Sequence, residues 1–232
     1  MPLSEIADSI FSSLILTHIL QSRGVHAIFA VRDEDIVDEE MIQDYLLEKY
    51  VVVDDYSNKK FILVDHNKLS GIPKENVIAS FDHHRISGEV ENLIEIEYAS
   101  CCLLIYDLFR DSYSFTTEEK TLVGLSVLSD TEFLTSTRFG EEDKKIYDTL
   151  DVSFDVEKMK KKYLKITDFS SNISDNFFKD YKEYDYNGLK ICRSIMKGYS
   201  REKKKYFEQY RSEMEKNHIN LMIWRSEERR VG

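Results

Sequence analysis

Between Asp8 and Arg23 the apolar residues fall at Ile10, Phe11, Leu14, Ile15, Ile19 and Leu20, the three-and-four spacing of a helix, and Gly24 stops the run. His26 to Val31 (HAIFAV) is short and continuously apolar and predicts a strand, and Glu39 to Tyr50 returns to helical spacing. Phe61 to Val64 (FILV) and Val77 to Phe81 (VIASF) are runs of the buried-strand type, each closing on polar residues. Strands and helices alternating at this interval predict an α/β fold with a mostly parallel sheet flanked by helices. In such a sheet, ligands collect beyond the carboxyl ends of the strands, so the polar residues that close FILV and VIASF are expected to lie together.

Helices are predicted over Ala99 to Phe109, over Thr117 to Ser129, opened by Thr117, and over Gly140 to Leu150. Asp155 to Ser171 is rich in Lys, Asp and Ser, with no apolar pattern after Ile166, and reads as a linker. Beyond it we expect a helix near Ile173 to Tyr181, a strand near Leu189 to Arg193, a helix from Ser200 to Asn217 and an apolar strand starting at Ile219. The organisation is thus a first domain over 1–154, a linker over 155–171 and a smaller, incomplete α/β domain over 172–224. Residues 225–232 (RSEERRVG) turn abruptly charged and resemble the translation of a sequencing-adapter oligonucleotide, so the native sequence is expected to end near Trp224.

Charge and composition narrow the classes. A formal net charge of −11 argues against a nucleic-acid coat or a membrane-surface binder. No apolar run approaches the roughly 18 residues of a spanning helix, which leads us to expect no signal peptide, no membrane and a cytoplasmic setting. Three cysteines, two of them adjacent at Cys101 and Cys102, read as reduced packing residues, because neighbouring cysteines seldom bond to each other.

Asp65-His66-Asn67 closes one predicted strand and Asp82-His83-His84 closes the next, and three of the six histidines of the chain lie in these two triplets. Carboxylates and imidazoles at adjacent strand ends form a mixed oxygen and nitrogen donor set, suited to Mn²⁺, Mg²⁺ or Co²⁺. Two such ions about 4 Å apart can activate water and neutralise phosphoryl oxygens. Either triplet alone reads equally well as a hydrogen-bonded structural couple.

The motifs ILVDHN, FDHHR and LSDTEFLTS, in that order, resemble the DHH phosphoesterase superfamily. The part after the linker is similar to the second domain, of the DHHA2 type, of the subfamily holding manganese-type inorganic pyrophosphatases, exopolyphosphatases and prune-like proteins. FKDYKEY, Phe178 to Tyr184, carries that likeness. The resemblance implies two divalent ions, with Asp65 bridging them, and His83, Asp130 and Asp8 as further ligands. It implies that His84 faces the substrate and that Lys182 reaches phosphate, with Arg85 a further candidate contact. The first motif departs from the pattern: Asp8 and Ser9 match its end, but Ile6 and Pro2 stand where relatives carry metal-binding side chains, and only Glu5 lies near enough to substitute. One ion site is therefore expected to lack most of its ligands. The implied activity is metal-dependent hydrolysis of phosphoanhydrides. Polyphosphate is the first substrate on the likeness of IEYASCCLLIYDLF to the exopolyphosphatase branch, and pyrophosphate is the alternative, as is a non-catalytic, prune-like binding protein.

Overall fold

The computed structural model describes residues 5–32, 40–46, 48–163, 181–186, 188–197 and 221–227, with 208, 211, 212, 215 and 216. The helix expected over 173–181, most of that over 200–217, Pro2 and the end of the tail lie outside these residues. The chain divides into two compact units, Leu3–Tyr163 and Leu164–Gly232.

In the first unit α1 (Glu5–Ser22) is followed by β1 (Ala30–Val31), α2 (Glu40–Tyr45), β2 (Val51–Val52), β3 (Phe61–Val64), β4 (Val77–Asp82) and β5 (Leu93–Glu95), and then by α3 (Cys101–Phe109), α4 (Thr117–Asp130), α5 (Glu141–Asp148) and α6 (Val156–Tyr163). β3, β4 and β5 form a parallel sheet in that order, and β1 pairs with β2 in parallel. The predicted α/β class with a parallel sheet flanked by helices is the one observed. In the second unit β6 (Tyr181–Tyr186) runs antiparallel to β7 (Leu189–Lys197), which pairs in parallel with β8 (Leu221–Glu227). Among the described residues no helix is long and apolar enough to cross a membrane.

Several boundaries differ from expectation for physical reasons. The HAIFAV run forms only a two-residue strand, because its ladder partner β2 is equally short and Ile28 is left exposed. The helix expected to reach Tyr50 ends at Tyr45, just ahead of the segment that leads into β2. Helix α6 occupies the first half of the expected linker, where Tyr45 donates to the Met159 sulfur and Lys162 pairs with Asp44. YKEYDY pairs residue for residue with β7, from Tyr181 opposite Ser194 to Tyr186 opposite Leu189, and forms β6 rather than a helix end. β8 continues through Arg225, Ser226 and Glu227, since main-chain pairing with β7 does not depend on side-chain polarity.

The core of the first unit lies where α1 packs on α3 and α4. Phe11, Ile15 and Ile19 meet Leu103, Leu104, Ile105, Leu125 and Leu128, all fully buried. Each contributes roughly 1.5–3 kcal/mol through removal of apolar surface from water. α4 starts one residue earlier in its cap than Thr117: Thr116 Oγ1 accepts from the Glu119 amide at 3.1 Å and Glu119 Oε2 accepts from the Thr116 amide at 2.8 Å. Two orphan amides of the first turn are thereby satisfied. The other oxygen of Glu119 accepts from the Tyr113 hydroxyl at 2.7 Å and faces His18 Nδ1 at 2.9 Å, while His18 Nε2 lies 3.0 Å from Glu48. Burial opposes charge on His18, but the bonds to Glu119 and Glu48 outweigh it and raise its pKa above the ordinary value. The Glu119 contact ties α1 to α4, and the Glu48 contact ties it to the segment after α2.

Two outcomes are expected. Thr116→Ala should lower the unfolding free energy by about 1 kcal/mol, whereas Thr117→Ala should change it by less than about 0.5 kcal/mol, both read from urea denaturation midpoints. His18→Gln should cost about 1.5 kcal/mol near pH 6. Because the folded pKa of His18 is raised above 6.5, this contribution is complete below 6.5 and fades as pH rises through the folded value, so the difference between the two proteins should shrink in alkaline buffer.

Candidate metal centre

The parallel register sets the site. Val64 pairs with Phe81, so the residues that follow each strand lie side by side, and the Asp65 amide donates to the Phe81 carbonyl at 2.8 Å. Asp65 then takes a left-handed conformation, φ 63°, which an aspartate tolerates better than most residues and which turns the chain off the strand axis. Its carboxylate is buried: Oδ2 accepts from Ser9 Oγ on α1 at 2.6 Å, while Oδ1 has no hydrogen-bond partner.

His83 is the centre of the arrangement. Its Nδ1 donates to the Tyr98 carbonyl at 2.9 Å, and because a carbonyl can only accept, this bond fixes the proton on Nδ1 and leaves a lone pair on Nε2. That Nε2 lies 3.1 Å from Asp65 Oδ1, 3.5 Å from Asp8 Oδ2 and 3.5 Å from Asp130 Oδ2. It is buried and makes no hydrogen bond of good geometry. Three carboxylates and one imidazole nitrogen therefore converge on one small volume, drawn from α1, the end of β3, the end of β4 and the last residue of α4.

Each donor is held from behind. Asp8 sits in the first turns of α1, and its carboxylate accepts the Cys101 amide at 2.6 Å, the Cys102 amide at 2.9 Å and the Ser126 hydroxyl. Ser100 Oγ accepts the Leu103 amide at 3.2 Å, so the first turn of α3 has its free donors paired, with Asp8 as the anion at its positive end. Cys101 and Cys102 are free and buried, and burial followed by the Asp8 charge pushes both thiols well above their ordinary pKa. Asp82, fully buried, accepts from the His83 amide at 2.8 Å, the His84 amide at 3.1 Å, His84 Nδ1 at 2.8 Å and Asn67 Nδ2. Burial works against its charge, yet the His84 bonds prevail and hold its pKa below the usual carboxylate range.

The electrostatics report crowding. Burial, reinforced by the Asp8 charge, pushes the Asp65 carboxyl up to about 6. For His83, burial opposes protonation, but the close Asp65 carboxylate and the Asp8 charge overcome it and lift the imidazole to about 9. Both shifts have one origin: like charges in a dry pocket draw in a proton when no other cation is present. His84 is raised chiefly by its bond to Asp82.

All five first-domain residues singled out from the sequence, Asp8, Asp65, His83, His84 and Asp130, come together. Lys182 lies on β6 in the second unit, in register with Arg193. Arg85 is exposed, and its carbonyl accepts from Asn67. Ile6 is half-buried on α1. The supporting residues escaped the sequence reading. Asp82 and Asn67 stood inside quoted motifs, and Ser126 lies one helical turn before Asp130, so spacing could have found it. The Tyr98 carbonyl left no trace in residue type. Arg138 was also missed: Glu132, Phe133 and Leu134 are all left-handed, with φ 51°, 59° and 63°, and this turn leads the chain to Arg138, whose Nη2 lies 3.4 Å from His83 Nδ1. Left-handed residues cost about 1–2 kcal/mol each, and buried Phe133 with the Thr131 hydroxyl bonds holds the turn in place.

Chemically the donor set fits one hard or borderline divalent cation: three carboxylate oxygens and a neutral imidazole nitrogen, with one buried oxygen and the nitrogen lacking partners. A second ion does not fit as well. The other grouping, Asp65, His83 and His84, shares His83 with the first.

Fold and site thus define an α/β protein with a buried carboxylate–imidazole centre at the carboxyl end of a parallel sheet. A manganese-dependent inorganic pyrophosphatase of Methanothrix thermoacetophila is 26% identical over 208 residues, covering 79% of this chain and 64% of that protein. The chain therefore spans less than two thirds of that relative's length. The structure is similar to that of a candidate family II inorganic pyrophosphatase of Methanococcus jannaschii, with TM-score 0.61, 18% identity and coverage of 95% of this chain and 80% of that one. It is also similar to an exopolyphosphatase-related protein of Bacteroides fragilis, with TM-score 0.55, 17% identity and coverage of 87% and 64%. No family model matches the chain. The proteins to which the chain is similar are described as of the pyrophosphatase and exopolyphosphatase kinds that the three short motifs suggested.

Asp82→Ala should strip the acceptor from the His83 and His84 amides and from His84 Nδ1, and one of two acceptors from Asn67 Nδ2, and lower the unfolding free energy of chelator-treated protein by about 3 kcal/mol. A loss under about 1 kcal/mol in guanidinium titration would show that Asp82 does not organise the strand end.

Proposed function

We propose that the chain hydrolyses the phosphoanhydride bond of inorganic pyrophosphate or polyphosphate at a divalent-metal centre formed by Asp8, Asp65, His83 and Asp130. The observation that carries this reading is the buried His83 Nε2, facing three carboxylates at 3.1 to 3.5 Å without a hydrogen bond. Mn²⁺ is the ion the curated relative's description favours.

When bound, such an ion supplies Lewis-acid polarisation of a phosphoryl oxygen and lowers the pKa of coordinated water. The chain's own residues do the rest. Tyr98 holds the His83 tautomer, and Ser9 and the left-handed backbone hold Asp65, so that the donors are set before any ligand arrives. His84 is partly exposed, and its Nδ1 proton is held by Asp82 at 2.8 Å, leaving Nε2 to carry or accept a proton. Asp82 stabilises the imidazolium, which suits His84 to protonate a departing phosphate oxygen. Lys182 is proposed as a further phosphate contact. Excluding water from the first-unit donors strengthens every charge interaction among them.

Pyrophosphate is supported by the curated relative, and polyphosphate by the segment IEYASCCLLIYDLF. The full chain supplied with Mn²⁺ should release orthophosphate from at least one of them. His83→Ala and Asp130→Ala should each lower kcat/KM by roughly 10³-fold or more, and His84→Gln by about 10²-fold, the usual contribution of a general acid. Metal binding with no orthophosphate from either substrate would reject hydrolysis in favour of a non-catalytic binding protein, as the altered first motif around Ile6 allows.

A further inference from the structure

Resting on the metal centre proposed above, we propose that the first unit holds one divalent cation per chain, and that the His84–Asp82 pair, rather than a second ion, occupies the open side of Asp65. His83 has only Nε2 to give, since Nδ1 donates to the Tyr98 carbonyl. The two residue groups capable of holding an ion, Asp8–His83–Asp130 and Asp65–His83–His84, both include His83. One lone pair serves one ion. Asp65 Oδ1 is 3.1 Å from the same nitrogen and so borders the first group.

What remains for another ion is thin. The His84 nitrogen on the Asp65 side, Nδ1, lies 3.6 Å from Asp65 Oδ1 but 2.8 Å from Asp82 Oδ1. A carboxylate accepts, so Nδ1 carries the hydrogen and has no lone pair to offer. The outer oxygen of Asp65, Oδ2, which a bridging carboxylate would turn to a second ion, already accepts from Ser9 at 2.6 Å. On α1, Ile6 brings a hydrocarbon side chain two residues before Asp8. Among the described side chains, a second cation would find fewer protein ligands than the first and would rely on water for the rest of its shell, so it binds more weakly.

The consequence is a division of labour within the site. One cation serves the carboxylates around His83, and the His84 ring, held by Asp82, fills the face of Asp65 where a two-ion centre would carry its other metal.

Calorimetric titration of Mn²⁺ into the full, chelator-treated chain tests this, with electron paramagnetic resonance counting bound ions independently. The expected result is one ion per chain, with any further binding at least 100-fold weaker. His84→Gln should change the affinity by less than about threefold, and Asp130→Asn should weaken it at least tenfold, with circular dichroism confirming that both variants fold. Two ions of comparable affinity, or a tenfold loss in His84→Gln, would overturn the single-ion assignment while leaving the metal centre standing. No bound ion, or an Asp130→Asn variant that binds as well as the parent, would overturn both.

Discussion

Three carboxylates cannot be packed around one imidazole in a dry pocket unless a positive charge joins them. Everything else in the first unit serves that requirement. Asp8, Asp65 and Asp130 approach His83 to within 3.5 Å while nearly buried. The shifts of Asp65 to about 6 and of His83 to about 9 show the pocket drawing in protons as the cation of last resort. A divalent ion meets the same demand with more charge and with the lone pair of a neutral histidine, which is why a metal and a proton compete for this place.

Around the four donors the fold spends its polar groups on preventing relaxation. Carboxylates that repel one another would swing towards solvent if their side chains were free to rotate. Here Ser9 holds Asp65, two amides and Ser126 hold Asp8, and Tyr98 holds His83. Asp82 does not join the donors but gathers the main chain of the β4 end and the His84 ring around itself. The parallel register of β3 and β4 makes these partners neighbours, so sheet topology and ligand geometry are one problem with one solution.

Much of this was legible in residue order because strand ends and ligand triplets coincide: FILV runs into Asp65 and VIASF runs into His83, and both strands were drawn to within a residue. Asp130 ends a helix whose apolar and capping pattern was plain, although the cap itself falls on Thr116. What stayed hidden was main-chain chemistry and short pairing. The Tyr98 carbonyl and the Cys101 and Cys102 amides have no signature in side-chain type. β2 and β5, with two and three residues, fall below any periodicity. Arg138 reaches His83 only through three consecutive left-handed residues, Glu132, Phe133 and Leu134, none of them glycine, a conformation that residue identity argues against.

The Asp8 carboxylate grips the start of α3 through peptide hydrogens, and the Cys102 sulfur adds only a long contact of 3.9 Å to the Asp8 carbonyl. Evolution can therefore rewrite positions 101 and 102 with any small residue that fits the surrounding core, and a chemist attacking the thiols would find them enclosed and protonated. What is inherited at this spot is a shape of the backbone, and two lineages with no letters in common there would still hold the same carboxylate in the same grasp.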